Sequence, residues 1–272
     1  MNLRTPAQLW TVFKLTWVER LVYRVNFILE ILSGLLYSLI VVFLWLAIYR
    51  SAARDFIGGY SVDDMVTYLL GAGLINSFIL TTAENPETSQ SIQDGTLSNL
   101  LVQPVSPYAI WLVRDFGTKA FFFFLGLSCY AVVFFFFTKY LVTSASLVYI
   151  IFFLFSLVLA ALLQFFLFEA LSLLAFWVEN TYGIRFTMRV IMEVAGGAII
   201  PISFFPGILQ KLFLALPFPY LIYLPMKIYL GKIPLGEILT EFMNELCWIT
   251  ALGLLNLIIW RRGIRQYVSM GD

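Results

Sequence analysis

The chain has 272 residues, of which 61% are hydrophobic and only 12% are charged, and its formal net charge is +1. Soluble domains are about half apolar and about a quarter charged, so this composition, with a mean hydropathy of +0.90, excludes a soluble protein. The chain has no histidine, the commonest metal ligand and general base. We therefore predict no metal site and no catalytic residues, and we expect no nucleic-acid partner.

The first residues, 6–25, mix basic side chains with tryptophan, phenylalanine and tyrosine. This pattern favours a helix that lies in the lipid headgroup region, although a basic extension of the first membrane span would read similarly. About 20 apolar residues cross a hydrocarbon layer of about 30 Å, and the sequence predicts six such spans. They are residues 26–49, 65–83, 120–138, 146–178, a run that starts near Val190, and a run that ends at 254–260.

Residues 201–230 are apolar but contain several prolines, each of which removes a backbone donor and clashes with the preceding turn. Backbone that is broken at membrane depth must be buried in protein or line a wet cavity. We therefore predict a re-entrant helical hairpin here, which would act as an outer gate. Its predicted gate residues are Pro201, Phe205, Pro206, Pro217 and Pro219.

Basic residues predict the orientation of the six spans, because positive charge accumulates on the cytoplasmic side. With both termini inside, 11 of the 17 basic residues are cytoplasmic and 6 are outside. We therefore expect a multi-pass protein of the cell membrane with both termini in the cytoplasm. The eleven are Arg4, Lys14, Arg20, Arg24, Arg114, Lys119, Arg185, Arg189, Arg261, Arg262 and Arg265.

A polar stretch between the second and third spans predicts a short cytoplasmic helix at 86–103. Asn85-Pro86-Glu87 is a typical helix start, Pro104 ends the helix, and Ser106-Pro107 starts the next one. The helix is amphipathic but weakly charged, which suits a protein groove better than anionic lipid. A connector that rests on its own bundle is the alternative.

Two motifs resemble those of ABC-2 type transporter permeases. GTLSNLLVQPVSPYAIWLVRDFG, residues 95–117, is similar to a family loop of the form G-x-L-x-x-x-L-x-x-P-(V/I). AGGAIIPISFFPGILQKLFLALPFPYLIYLPMKIYLGK, residues 195–232, resembles G-x-x-(I/L)-P-(I/L)-x-x-F-P followed by L-P-F and P-x-x-I-x-x-G. The resemblance covers essentially the whole chain in order, and it implies an all-α polytopic fold in one transmembrane domain, 1–272.

The resemblance also implies partners. In that family the first cytoplasmic helix is a coupling helix that docks into a separate ATPase subunit, and two permease subunits assemble. The chain has no G-x-x-x-x-G-K-[ST] motif, so ATP and magnesium would be bound by the partner. The loop at 179–189 would be a second contact, unless it is ordinary positive-inside anchoring. The predicted ATPase-docking residues are Ile92, Asp94, Leu97, Leu100, Leu101, Tyr182 and Arg185.

Small and polar residues in the second and fifth spans, Asn76, Ser77, Gly196 and Gly197, are candidates for a translocation path. In the resembling family that path lies at the permease dimer interface. Close helix packing is the alternative explanation for the small residues. The sequence thus predicts an exporter subunit for an amphipathic or lipid-like cargo, in contact with membrane lipid.

Intramembrane carboxylates are costly and usually have a partner or a function. Glu193 follows Arg189 by four residues, so the two are predicted to pair on one helix face. Glu30 and Glu169 support an alternative function, a proton- or ion-coupled secondary transporter.

Overall fold

The computed structural model describes residues 4–22, 24–52, 54–142 and 146–269. These residues are mainly helical, with one short β-hairpin after the second helix. The elements are α1 (Arg4–Val22), α2 (Arg24–Ala52), β1 (Phe56–Ile57), β2 (Tyr60–Ser61), α3 (Val62–Ile79), α4 (Glu87–Gln93), α5 (Leu97–Leu101), α6 (Pro107–Phe136), α7 (Leu147–Ser172), α8 (Tyr182–Ala195), α9 (Gly207–Leu214), α10 (Tyr223–Tyr229) and α11 (Leu235–Ser269). Single 3-10 turns cover Thr138–Tyr140, Leu173–Phe176, Ile202–Phe204 and Phe218–Tyr220.

Four helices of the described ranges are long and apolar enough to cross a membrane: Phe27–Ala52, Pro107–Phe136, Leu147–Phe176 and Leu235–Tyr267. They coincide with the first, third, fourth and sixth predicted spans, which supports a multi-pass membrane protein. The second predicted span falls on α3, whose 18 residues begin with two aspartates in the first turn. The fifth falls on α8, which has 14 residues and ends at Ala195, so the count of six spans stays a prediction.

The helix α7 lies at the centre of the bundle, and half of its most apolar window is buried. Against α11 it packs Phe155 edge-on to Phe242, with ring centroids 5.2 Å apart. The Asn256 amide of α11 also donates to the Phe166 carbonyl at 2.7 Å. Since α2 and α11 leave most of their apolar surface uncovered, they form the outside of the helix bundle.

The predicted interfacial helix is observed as α1, and it packs along α6. Trp17 contacts Phe121 edge-on at 5.7 Å between centroids, and Gly117 allows Phe13 and Thr16 to approach the α6 backbone closely. The helix was predicted over 6–25, whereas α1 begins at Arg4 and ends at Val22, and residue 23 lies outside the described residues. Its location in the headgroup region stays a prediction.

A β-hairpin joins α2 to α3 where the sequence indicated only a polar loop. Gly58 and Gly59 supply its turn with positive φ angles of 57° and 82°, which glycine adopts without steric cost. Ser61 and Asp64 then form a capping box at the start of α3. Lys232, at the far end of α10, donates to the Asp64 carboxylate at 2.8 Å and to the Gly59 carbonyl at 3.0 Å, so this hairpin is tied to the distant residues that follow α10.

Two of the basic residues counted on the cytoplasmic side, Lys119 and Arg185, are buried. Lys119 lies inside α6, where it pairs with Asp115 and donates to the Ala161 carbonyl at 2.9 Å. Arg185 is 2% exposed. Each side chain donates to buried acceptors of the bundle instead of reaching water, and the predicted orientation of the chain stays untested.

Candidate functional site

The stretch 86–103, called here the α4–α5 segment, is a broken helix and not the single helix predicted from its pattern. It comprises α4 and α5, separated by Gly95 with φ +75°. A positive φ is incompatible with continuing a right-handed helix, which explains the correction. The predicted local signals do hold: the Asn85 side chain accepts from the Glu87 N–H at 3.2 Å, and Ser106 caps α6 by accepting from the Ala109 N–H.

The apolar face of the α4–α5 segment points into its own bundle. Ile92 is 5% exposed and Leu97 is fully buried, in a cluster formed with Trp111 of α6 and with Leu173 and Phe176 at the end of α7. The sequence assigned Ile92 and Leu97 to the ATPase contact. That assignment is corrected, because both side chains are covered by the chain itself.

The opposite face of the α4–α5 segment is open. Asp94 and Leu101 are exposed, Leu100 is half-buried, and Val102 is 85% exposed. Val102 was not among the predicted docking residues, although it lies directly beside Leu101. An exposed apolar pair with one carboxylate nearby is a surface that a protein groove can cover.

Three polar contacts fix the α4–α5 segment to its neighbours. The Thr88 hydroxyl donates to the Glu169 carboxylate of α7 at 3.0 Å, and Glu87 forms an ion pair with Arg114 of α6 at 2.5 Å. Burial raises the pKa of the Glu87 carboxyl above its usual range, and the adjacent guanidinium opposes that shift. Gln93 donates to the Glu179 carbonyl at 2.5 Å. The segment is therefore bonded to α6, to α7 and to the loop before α8.

The loop at 179–189, the second predicted contact, adjoins the α4–α5 segment. The buried guanidinium of Arg185 donates to the carbonyl of Asn85, the residue directly before the α4–α5 segment, so Arg185 links this loop to the start of that segment. Tyr182 is 52% exposed and stacks on Phe186 at 6.2 Å between centroids. The structure thus brings the two predicted contacts next to each other, with Tyr182 accessible and Arg185 buried.

The end of α11 supports the break in the α4–α5 segment, a contact that sequence reasoning missed. The Tyr267 hydroxyl donates to the Gly95 carbonyl at 2.7 Å, and the Tyr267 ring contacts Phe176 edge-on. Gly263 allows α11 to approach, since a Cβ there would stand 2.1 Å from the Phe176 ring. The two ends of the hydrogen bond are 172 residues apart, and no local sequence pattern signals such a pairing.

A cavity of about 290 Å³ lies between α2, α3, α8 and the residues after α8. We call it the inter-helix cavity. Its lining follows the helical repeat on α2 and on α3, and glycine and serine make room for it. The lining residues are Glu30, Ile31, Gly34, Tyr37, Ser38, Val41, Leu69, Gly73, Asn76, Ser77, Thr81, Arg189, Glu193, Ala198 and Ile199.

Two of the four predicted path residues, Asn76 and Ser77, line this cavity, whereas Gly196 and Gly197 do not. Gly197 has φ +83° and accepts a hydrogen bond from the buried Tyr68 hydroxyl at 2.6 Å. Gly196 approaches the backbone of its own helix and the Phe218 carbonyl. The glycines are therefore needed for a tight turn at the end of α8, and their place on a translocation path stays a prediction.

The predicted pair of Arg189 and Glu193 is confirmed, with Nε and Oε1 at 3.3 Å. Arg189 also binds Glu84 at 2.7 Å, a partner that lies 105 residues away in the sequence. Glu30 lines the cavity beside them. Glu169 does not, because it is buried against α4 and accepts from Thr88.

Residues 201–230 are divided into short helices, as their prolines require. Pro201, Pro217 and Pro219 are buried, Pro206 is exposed, and Phe205 packs edge-on against Phe213 at 5.1 Å between centroids. These observations place the five predicted gate residues without testing a gate, so the re-entrant location and the gating role stay predictions.

The sequence model of the family described as ABC-2 family transporter protein matches residues 35–271. The chain belongs to this family. The matched range of this ABC-2 permease includes the α4–α5 segment, α8 and most of the inter-helix cavity, while α1 and Glu30 precede it. A comparison with curated proteins finds no match. Membership makes the chain the membrane-spanning part of a transporter, which agrees with its four long apolar helices.

Proposed function

We propose that this ABC-2 permease is the transmembrane subunit of an ATP-binding cassette exporter and that a separate ATPase subunit drives it. A second permease subunit, identical or related, would complete the membrane part. Both termini would face the cytoplasm, and the cargo would be amphipathic. The family match supports a permease, and the absence of a P-loop motif in the sequence supports an ATPase on a separate chain.

The observation that carries this proposal is the joint surface formed by the α4–α5 segment and the start of α8. Asp94, Leu101, Val102 and Tyr182 are exposed on it, while the residues beneath are anchored in the bundle. Isolated exposed apolar residues are ordinary, but here they sit on two short segments bonded together through Gln93 and Glu179. A weakly charged surface of this kind suits a groove on a partner protein.

The same bonds provide a route for motion. When ATP closes the partner subunits, the α4–α5 segment is displaced, and the Thr88–Glu169 and Glu87–Arg114 contacts pass the displacement to α7 and α6. The inter-helix cavity is then exposed alternately to the two sides of the membrane. The segment at 201–230 would close its outer end.

The test is to purify the chain from its native membrane in mild detergent and to assay the bound ATPase activity. Val102→Asp places a charge in the proposed contact without touching the core, so we expect at least about a tenfold loss of retained ATPase activity, because a buried unpaired charge is costly at an interface. The matched control is Ser51→Asp, which adds the same charge at an exposed residue near the C-terminal end of α2. This variant should retain the ATPase subunit. Full retention by Val102→Asp would contradict the proposed surface. Absence of ATPase activity from the folded wild type would contradict the proposed function.

A further inference from the structure

The inter-helix cavity carries its charged and apolar side chains at opposite ends. Glu30, Arg189 and Glu193 line the end near the start of α2, whereas Val41 and Leu69 line the other end. Along α2, Glu30 and Val41 are separated by about 16 Å, at about 1.5 Å per residue. A molecule that fills the cavity would therefore meet charge at one end and hydrocarbon at the other.

The charged end has an excess of negative charge. Arg189 is shared between Glu193 at 3.3 Å and Glu84 at 2.7 Å, so its guanidinium is already matched. Glu30 is exposed, and within the described ranges it makes no direct salt bridge or hydrogen bond, although the charges of Arg189 and Arg20 act on it from a distance. The second of these cations, Arg20, lies over the Phe27 ring at 5.3 Å and lines the groove beside the α4–α5 segment instead of this cavity, so the two cations face the three carboxylates Glu30, Glu84 and Glu193.

The uncharged polar lining offers acceptors and an aromatic ring. Asn76 Oδ1 is shielded from solvent and has no hydrogen-bond partner in the part of the chain that the structure describes. The Ser77 hydroxyl already donates to the Leu74 carbonyl at 2.7 Å, which leaves its oxygen free to accept. Tyr37 also lines this cavity, and aromatic rings attract cations. Each of these groups suits a donor or a cation better than an anion.

We propose that the inter-helix cavity binds amphipathic cations, with the ammonium or other cationic group beside Glu30 and the apolar body toward Val41 and Leu69. This inference rests on the proposed function, because it specifies the class of cargo. A lipid anion or a fatty acid would place its carboxylate or phosphate against Glu30 and the matched Arg189, and is disfavoured by the same charges.

The test compares two probes of the same shape and opposite charge, tetraphenylphosphonium and tetraphenylborate. Binding is measured by equilibrium dialysis of the full chain in nanodiscs of uncharged phosphatidylcholine, with empty nanodiscs subtracted. We expect saturable binding of the cation. Glu30→Gln should weaken it on the order of tenfold, since it removes a nearby charge in a medium less polar than water. Glu237→Gln, which neutralises an exposed carboxylate outside the cavity, should leave it unchanged.

A charge reversal separates loss of the site from loss of the fold. Glu30→Lys should abolish cation binding and create saturable binding of tetraphenylborate, a gain that a misfolded variant could not show. Equal cation binding by the wild type and Glu30→Gln, or preferential binding of tetraphenylborate by the wild type, would overturn the proposal.

The same nanodisc preparations, assayed for bound ATPase, separate this inference from the proposed function. ATPase activity without saturable cation binding would overturn the cargo class and leave the exporter subunit standing. Cation binding without any ATPase would retain the site as a cation site and overturn the ATP-driven mechanism.

Discussion

The α4–α5 segment and the inter-helix cavity are both polar regions of a very apolar chain, but they use their polar groups in opposite ways. In the segment, Glu87, Thr88 and Gln93 each bond to another element. In the cavity, the side-chain Oδ1 of Asn76 is shielded and has no hydrogen-bond partner within the described ranges, and Glu30 is exposed and makes no direct salt bridge there. Satisfied buried groups fix a geometry, whereas unsatisfied ones leave room for a ligand. The comparison indicates a rigid connection at one site and an exchangeable occupant at the other.

The largest expected effect is on the core beneath the α4–α5 segment. Leu97→Ala should lower the free energy of unfolding by about 3 kcal/mol, because Leu97 is fully buried and its truncation leaves a cavity. Leu101→Ala, in the same short helix but 40% exposed, is the matched control and should change it by less than about 0.5 kcal/mol. Unfolding by SDS titration measures both. Equal effects would show that the segment is not anchored through Leu97.

The next effect concerns the bond between the segment and α7. Glu169→Leu removes the acceptor of the Thr88 hydroxyl and should cost about 1–3 kcal/mol, the cost of an unsatisfied buried donor. Glu169→Gln keeps a carbonyl acceptor and should be far milder in the same titration. Transport that is lost in Glu169→Gln with unchanged stability would instead favour a proton-coupled role for this residue.

A smaller effect is expected at the break in the segment. Tyr267→Phe removes the hydrogen bond to the Gly95 carbonyl, which is worth about 1 kcal/mol, while it keeps the ring against Phe176. Amide hydrogen exchange over residues 94–101 should accelerate about fivefold. Unchanged exchange there would mean that α11 does not support the segment.

The smallest effect is expected in the inter-helix cavity. Asn76→Ala should change the free energy of unfolding by no more than about 0.5 kcal/mol, because its side-chain Oδ1 has no described hydrogen-bond partner to lose. The measurement is again SDS titration, with Leu97→Ala as the positive control. A loss of about 2 kcal/mol in the free energy of unfolding would mean that Asn76 is a structural residue, and the cavity would then no longer differ from the α4–α5 segment in this respect.

Sequence signals that act within one helical turn, such as helix starts and side-chain pairs, predicted the local structure correctly. The Ser106-Pro107 start of α6 and the pair of Arg189 and Glu193 are present, since each depends only on residues within one helical turn. The sequence also contains a signal for the break at Gly95, because Asp94-Gly95 is a dipeptide that frequently forms turns. The spacing of the apolar residues on either side of it nevertheless favoured a continuous helix.

Long-range packing could not be predicted in the same way. The pattern identified an apolar face on the α4–α5 segment, but not whether that face covers its own bundle or a partner, because an amphipathic helix satisfies either surface equally. The structure turns Ile92 and Leu97 inward. It also places Gly197 in a turn, where its carbonyl accepts a hydrogen bond from Tyr68. In the sequence, a small residue in an apolar run had indicated a translocation path instead.

The link between Lys232 and the β-hairpin has a consequence for the order of synthesis. Asp64 and Lys232 are 168 residues apart, so at about 5–20 residues per second the ribosome needs roughly 8–34 s to deliver the second after the first. During that interval the Asp64 carboxylate has only its local partner, the Ser61 N–H. The β-hairpin after α2 is thus tied down only when the residues that follow α10 have been made, and a nascent chain released before residue 232 would leave this carboxylate without its cation.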